Sequence, residues 1–360
     1  MYNTFIYENP SSLQKDNTKF VPYATINVTD NEPSLTYFFI DEDGNPSKDF
    51  ECKLDSETRM QIKKDLGEKL KAIAATNDEY SDDRLATLRA YLEGLFDKII
   101  PPDLGNIIRK WDSEIIINIT TNEQWIPWEL LHDGNGYLGQ RFMIFRLPRI
   151  TRNNCNRRQH LIANGSKKKL IHIVGGGIGK DFTKKAKNSF NKIKKEGVDV
   201  EQIEGTRLID LSKKINQGDI LHFTCHGHVN PCYIQLNEID NADINLTIEY
   251  IKSNEFEIKE DCFIFANACS SADASIIFGE FSNFGAEFYK KGSIFFIGTL
   301  GSIPTEFAID FAKEFYNTLS RAKNIHLAFT ETKKRMSIDG KIFINLYIIY
   351  GNPRYIWTIS

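Results

Sequence analysis

Residues 219–227, DILHFTCHG, and residues 261–269, DCFIFANAC, decide how the chain reads. Each opens on an Asp, runs apolar, and ends on side chains able to do chemistry. Strands that are apolar throughout are buried on both faces, which marks a mostly parallel sheet covered by helices on each side. The neighbouring sequence repeats the pattern. LIHIV (170–174) is a strand, 182–196 is helical, VDVEQIEG (198–205) is a second strand and RLIDLSKKIN (207–216) a helix. LTIEYIKS (246–253) reads as a short helix between the two quoted strands. Beyond them, 272–290 is helical and SIFFIGTL (293–300) is a strand. TEFAIDFAKEFYNTLS (305–320) and NIHLAFTETKKRM (324–336) are helices, and FINLYIIYGNPRYIW (343–357) carries the last strand. This alternation predicts an α/β fold, whose substrate site lies at the carboxyl ends of the strands.

Upstream the pattern differs. Residues 1–50 hold short alternating runs such as TINV and LTYFFI, read as strands with loops. Residues 56–110 show apolar positions at three- and four-residue spacing, broken at Pro101-Pro102. EIIINI (114–119) and RFMIFRLPRI (141–150) are strands around a turn at Asn135-Gly136. Residues 152–168 are polar and aperiodic. The expected organisation is an N-terminal α+β region (1–150) with no paired Cys and His, a linker (151–168), and an α/β domain (169–360).

The two quoted strands end in Thr224-Cys225-His226-Gly227-His228 and Asn267-Ala268-Cys269-Ser270-Ser271. If the strands are neighbours, His226 and Cys269 meet above one edge of the sheet. A thiol attack on a carbonyl needs a thiolate, an imidazole and donors for the developing oxyanion. A cysteine where a strand gives way to a helix has its thiol pKa lowered by the helix N-terminus and by an imidazolium. Gly227 lets backbone approach closely, so its N–H could face an oxyanion. His222, inside its strand, reads as a satisfied interior histidine, and His228 as a candidate to line the cleft. Cys225 and Cys262 read as small buried hydrophobes.

Two other chemistries fit less well. Cys225, His226, His228 and Cys232 cluster as zinc ligands do. Adjacent strand residues point to opposite faces, however, and no second CxxC or HxxxH completes a site. VGGGIGKD (174–181) has one residue too few for a phosphate loop, and Asp181 stands where Ser or Thr belongs. It reads as a flexible turn able to border the cleft. No metal and no cofactor is expected.

HFTCHG followed by FANACSS, with Cys269 lying 43 residues after His226, resembles the His-Gly and Ala-Cys elements of caspase-like peptidases. Within that clan the chain resembles the CHAT group, bacterial relatives of caspase and separase. WIPWELLHDGNGYLGQRFMIFRLPRI, FFIGTLGSIP with FAKEFYNTL, and YIIYGNPRYIW are similar to further stretches of that group. The resemblance covers roughly residues 60–360. It implies a caspase-like, mostly parallel sheet flanked by helices, and a cysteine endopeptidase working with a dyad. His226 would be general base and acid, Cys269 the nucleophile, and the N–H groups of Gly227 and Cys269 the oxyanion hole. Asn267, two residues before the nucleophile, would line the pocket for the substrate's P1 side chain. Asp273 and Glu306 are alternative pocket acids. Gly301 stands where CHAT relatives often carry Trp, which implies a wider pocket or a mobile loop. The group's habits imply a protein substrate, an activating protein partner or signal, and a role in bacterial immunity or programmed cell death. A pore-forming protein is one candidate substrate. The competing reading is a caspase-like scaffold whose dyad is silent.

The bulk composition sets the outer limits. The chain has 360 residues, 41% hydrophobic and 26% charged, as in a soluble globular protein. Its net charge of −3 argues against a dedicated nucleic-acid binder. Six cysteines are too sparse for a secreted disulfide scaffold. MYNTFIYENPSS has no signal-peptide pattern, and no apolar run is long enough to span a bilayer. The expectation is a cytoplasmic protein without membrane attachment.

Overall fold

The computed structural model describes residues 23–41, 43–74, 82–113, 115–123, 125–149, 168–204, 208–229, 232–239, 242–269, 280–301, 303–322, 324–337 and 342–353. The N-terminal part opens with the hairpin β1 (Tyr23–Asn31) and β2 (Ser34–Ile40), extended by β3 (Phe50–Lys53). Leu35, Tyr37 and Phe39 alternate inward along β2, as a half-buried strand requires. Helices α1 (Ser56–Ala74), α2 (Asp82–Ile99) and α3 (Pro102–Lys110) follow. Pro102 ends one helical run and starts the next, since the first turn of a helix does not need its missing N–H. Then come β4 (Ile116–Thr121), a single turn α4 (Leu138–Arg141) and β5 (Met143–Pro148).

The second part begins with β6 (Lys169–Val174), α5 (Lys180–Asn188), α6 (Asn191–Lys195), β7 (Asp199–Glu204) and α7 (Leu208–Ile215). It continues through β8 (Ile220–Val229), β9 (Cys232–Ile239), β10 (Ala242–Thr247), α8 (Ile248–Lys252) and β11 (Phe263–Cys269). It closes with α9 (Glu280–Lys291), β12 (Phe295–Thr299), α10 (Thr305–Ala322), α11 (Ile325–Ser337), a 3-10 turn (Ile342–Leu346) and β13 (Tyr347–Gly351).

All thirteen strands share one mixed, mostly parallel sheet. The order is β10-β9-β8-β11-β12-β13-β5-β4-β1-β2-β3, with β6 also on β8 and β7 beyond β6. β8 is ten residues long and serves two partners on one side. Ile220–Thr224 pairs with β6 in parallel, and His226–Val229 pairs with β9 antiparallel. β11 runs parallel along the other side. One face is covered by α10, whose Tyr316 and Phe315 meet the rings of His222 and Phe265. The opposite face is covered by α9, whose Phe288 stacks on Phe296 of β12.

The sheet runs unbroken from the upstream region into the downstream one. β5 pairs in parallel with β13, the last strand of the chain, through Ile349↔Phe145 and Tyr350↔Arg146. Residues 151–167 of the expected linker lie outside the described residues, as do 272–279 of the expected helix. The helical stretch at 182–196 is two helices, because the chain turns at Ser189-Phe190 and buries Phe190 beside His172. β8 continues two residues past Gly227, and the hairpin β9–β10 occupies a stretch the sequence did not mark as strand. Among the described residues, no helix is long and apolar enough to cross a membrane.

Candidate active site

β8 and β11 start level, with Ile220 opposite Phe263, and keep parallel register to the end of β11. Thr224 therefore faces Asn267, Cys225 faces Ala268, and His226 faces Cys269. Neighbouring strands lie ~4.8 Å apart, so the backbones of His226 and Cys269 stand within the span of one thiol–imidazole contact. Cys269 is the last residue of β11, and His226 lies three residues before the end of β8, past the stretch that pairs with β6, near the carboxyl ends where open α/β sheets hold their ligands.

His226 is half-buried. Its Nδ1 is buried with no hydrogen-bond partner among the described residues. The other edge of the ring faces the glycine loop after β6. A Cβ added to Gly177 would stand 3.7 Å from His226 Cδ2 and 3.8 Å from Nε2. Gly177 takes φ +76°, which side chains rarely adopt. Gly175 N–H donates to the Thr224 carbonyl and Gly176 N–H to the Leu236 carbonyl, both at 2.9 Å. The loop thus fills the junction where β8 changes partner. A Cβ on Gly175 would sit 2.4 Å from the Gln235 carbonyl oxygen, so this closure needs glycine. The stretch that resembled a phosphate loop is a wall of the histidine's site.

Asn267 is 4% exposed. Its Nδ2 donates to the Ala308 carbonyl of α10 at 2.9 Å, and its Oδ1 accepts from the Tyr347 hydroxyl at 3.1 Å. Tyr347 in turn stacks on Phe311 of α10 at 3.6 Å between ring centroids. The end of β11 is tied in this way to a helix and to β13. Tyr347→Phe should leave Asn267 Oδ1 without that donor and cost about 1–2 kcal/mol, seen as a lower denaturant midpoint. An unchanged midpoint would show that the tie contributes nothing.

His222 is an interior histidine on the α10 face, with its Nδ1 2.9 Å from the Tyr316 hydroxyl. His172 Nε2 lies 3.0 Å from the Thr224 hydroxyl, and the two imidazoles are 5.6 Å apart. Burial pushes His222 well below its usual range and His172 down to about 4. Unfolded histidines take up protons near pH ~6.5. Between that pH and about 4 the unfolded chain therefore binds more protons than the folded one. Stability should be full above about pH 6.5 and fall as pH drops toward 4, by on the order of 3 kcal/mol from His172 alone. Urea midpoints measured across that range test this, and a flat profile would contradict the neutral, buried state of these rings.

The remaining expected positions are dispersed. Glu306, in the first turn of α10, is exposed and bonds Lys185 Nζ of α5 at 2.8 and 3.1 Å. Gly227 is buried and lies opposite Ile234 of β9. His228 lies at the end of β8, opposite Tyr233. Asp273 lies outside the described residues. Cys225 is buried with Sγ 3.7 Å from the Ile173 carbonyl. Among the described residues, no group of three or more His, Cys, Asp or Glu could hold a metal ion. Tyr347 and Ala308 were not marked by the sequence, whereas Gly177 lies in the glycine run read as a turn able to border the cleft.

The fold is that of the caspase-like cysteine peptidases, an α/β sheet with helices on both faces. The chain belongs to the CHAT domain family, whose model matches residues 89–348. That match runs from within α2 to within β13. Two structures of the Saccharomyces cerevisiae separase–securin complex are similar, at TM-scores of 0.55 and 0.54 and 10% identity. They cover 93% and 94% of this chain, which spans 30% of the separase chain in each. The complex of Porphyromonas gingivalis RgpB pro- and mature domains follows at a TM-score of 0.45 and 10% identity, covering 85% of this chain and 79% of that one. Comparison with curated proteins gives no match.

Proposed function

We propose that the chain is a cysteine endopeptidase with His226 and Cys269 as its dyad. The observation that carries this is the in-register pairing of His226 with Cys269, the last residue of β11, near the carboxyl ends of two parallel strands. His226 takes the thiol proton as Sγ attacks the scissile carbonyl. The N–H groups of Gly227 and Cys269 stabilise the oxyanion. The tetrahedral adduct collapses, the C–N bond breaks, and His226 passes the proton to the leaving amine. Water, deprotonated by His226, then cleaves the thioester and restores the thiol. The orphaned, buried Nδ1 of His226 supports this reading, because no described group competes for the ring.

Asn267, Asp273 and Glu306 are the candidates for the P1 pocket. Asn267 has one amide N–H engaged by Ala308, so it would offer P1 the other. By family resemblance the substrate is one or a few proteins, cut in the cytoplasm of a bacterium by an enzyme that waits for an activating partner or signal. Immunity or programmed cell death is the setting this suggests, with a pore-forming protein among the candidate substrates.

The test is to incubate the protein, and a Cys269→Ala variant beside it, with a diverse peptide library and candidate partners. New termini are then read by mass spectrometry. Cleavage by the wild type alone is expected, and the residue before each cut defines P1. Cleavage by both removes Cys269 from the mechanism. Silence from both, with partners present, leaves a caspase-like scaffold.

A further inference from the structure

Away from the dyad, a cavity of ≈ 260 Å³ opens between the first residues of β4 and β5, the turn α4, and helix α11. Ile116, Phe142, Met143 and Phe329 supply apolar wall, and Lys333 lies within it. Met143 is level with Tyr347 in the sheet, given the pairing of Phe145 with Ile349. The cavity is thus three strands from β11, about 14 Å at the usual strand spacing.

Lys333 is the unusual group. It is 9% exposed, yet it forms no ion pair among the described residues. Its Nζ has one long hydrogen bond, 3.4 Å to the Tyr347 carbonyl, and lies 5.5 Å from the Phe329 ring. The nearby carboxylate of Glu129 is already engaged by Arg146. The other buried charges have counterions or several donors: Arg59 has Asp30, Asp133 has Arg141, and Glu123 accepts three N–H bonds. An ammonium taken out of water without a counterion is costly. Desolvation accordingly pushes Lys333 down to about 8, which leaves it mostly charged at neutral pH. His326, on the same wall, also buries an Nδ1 that has no partner among the described residues. Gln140, Thr330, Lys334 and Arg141, the last paired with Asp133, also line it, and a mostly apolar cavity with a few placed polar groups has the composition of a small-molecule site.

We propose that this cavity binds a small amphiphile with a single carboxylate head, the head against Lys333 Nζ and the apolar body between β4–β5 and α11. The carboxylate supplies the counterion that no described residue does, and the body packs against the apolar wall. Leu327, 43% exposed, stands at the rim as further apolar surface.

Calorimetric titration of the full chain with octanoate tests the site, with octanol and octylamine as controls of equal chain length. Octanoate is expected to saturate at one site, at least tenfold tighter than octanol, with octylamine weaker still. Lys333→Met should lower octanoate affinity at least tenfold and leave octanol unchanged. Leu327→Asp, at an exposed position where folding is not at stake, should also weaken octanoate and favour octylamine. Equal binding of octanoate and octanol, no saturable binding, or octanoate affinity indifferent to Leu327→Asp would each overturn the proposal.

Discussion

Cys269→Ala is expected to abolish peptide cleavage and His226→Ala to lower kcat/KM by about 10³-fold or more, while the thermal midpoint of each variant should stay close to that of the parent. The expected size follows from the roles. A missing nucleophile leaves no covalent path, and a missing base removes the proton transfer that makes a thiol reactive near neutral pH. The unchanged midpoint separates chemistry from structure. The His226 ring is half-buried, its Nδ1 makes no bond among the described residues, and even a Cβ added to Gly177 would come no nearer to it than 3.7 Å. Its loss should cost little folding energy. Gly177→Val offers the converse. It places a branched side chain at φ +76° against the ring, so it should impair catalysis with His226 still present. If His226→Ala keeps more than a tenth of the activity, the histidine is not the base.

Glu129→Ala is expected to destabilise the fold by about 3–5 kcal/mol, the largest effect of any single change outside the active site. Glu129 and Arg146 are 1% and 2% exposed. Arg146 Nε donates to Glu129 Oε1 at 3.0 Å, Nη2 meets Oε2, and Nη2 also reaches the Ile126 carbonyl at 3.2 Å. Burial alone would lower the guanidinium's pKa, but the adjacent carboxylate more than offsets it and holds the charge. An arginine cannot escape by losing its proton, so removing the carboxylate strands a cation in the core. Gly139 packs so tightly on Glu129 that a Cβ there would come within 2.8 Å, which leaves little room for water to replace the lost side chain. The double change Glu129→Leu with Arg146→Met should recover most of the loss, since neither charge then remains. Urea unfolding of the parent and the two variants decides it. A single-variant cost below 1 kcal/mol, or a double variant no better than the single, would show that the pair is dispensable.

The register that sets His226 opposite Cys269 was legible because it is a matter of counting. Ile220 and Phe263 are paired, and six residues further along each strand stand His226 and Cys269. Two apolar runs of equal length bring their ends together whenever they start level. The α/β character was legible for the same reason, through strands buried on both faces. The β9–β10 hairpin was not. Only Ile234, Leu236 and Leu246 of its described side chains are deeply buried, and Asn230-Pro231 and Asp240-Asn241 read as loop. Asn267 was read from the family resemblance as a pocket residue. Its bond to Tyr347, 80 residues away, comes from sheet order, which no local pattern encodes. The polar tract at 152–168 suggested a boundary between two bodies. Sheet order overrides that suggestion, because the strand before the tract pairs with the last strand after it.

That pairing governs what can be taken apart. Tyr347–Gly351 is buried at every residue and flanked on both sides. A fragment beginning at residue 168 would bare one flank of it, a row of unpaired amides on an apolar ribbon that is a template for foreign strands. Such a fragment should precipitate rather than report on the peptidase half. Hydrolysis of a peptide bond within 151–167 has the opposite outcome. It severs no ladder among the described residues, so the two pieces should copurify as one split, non-covalent molecule, and co-expressed halves should reassemble where neither survives alone.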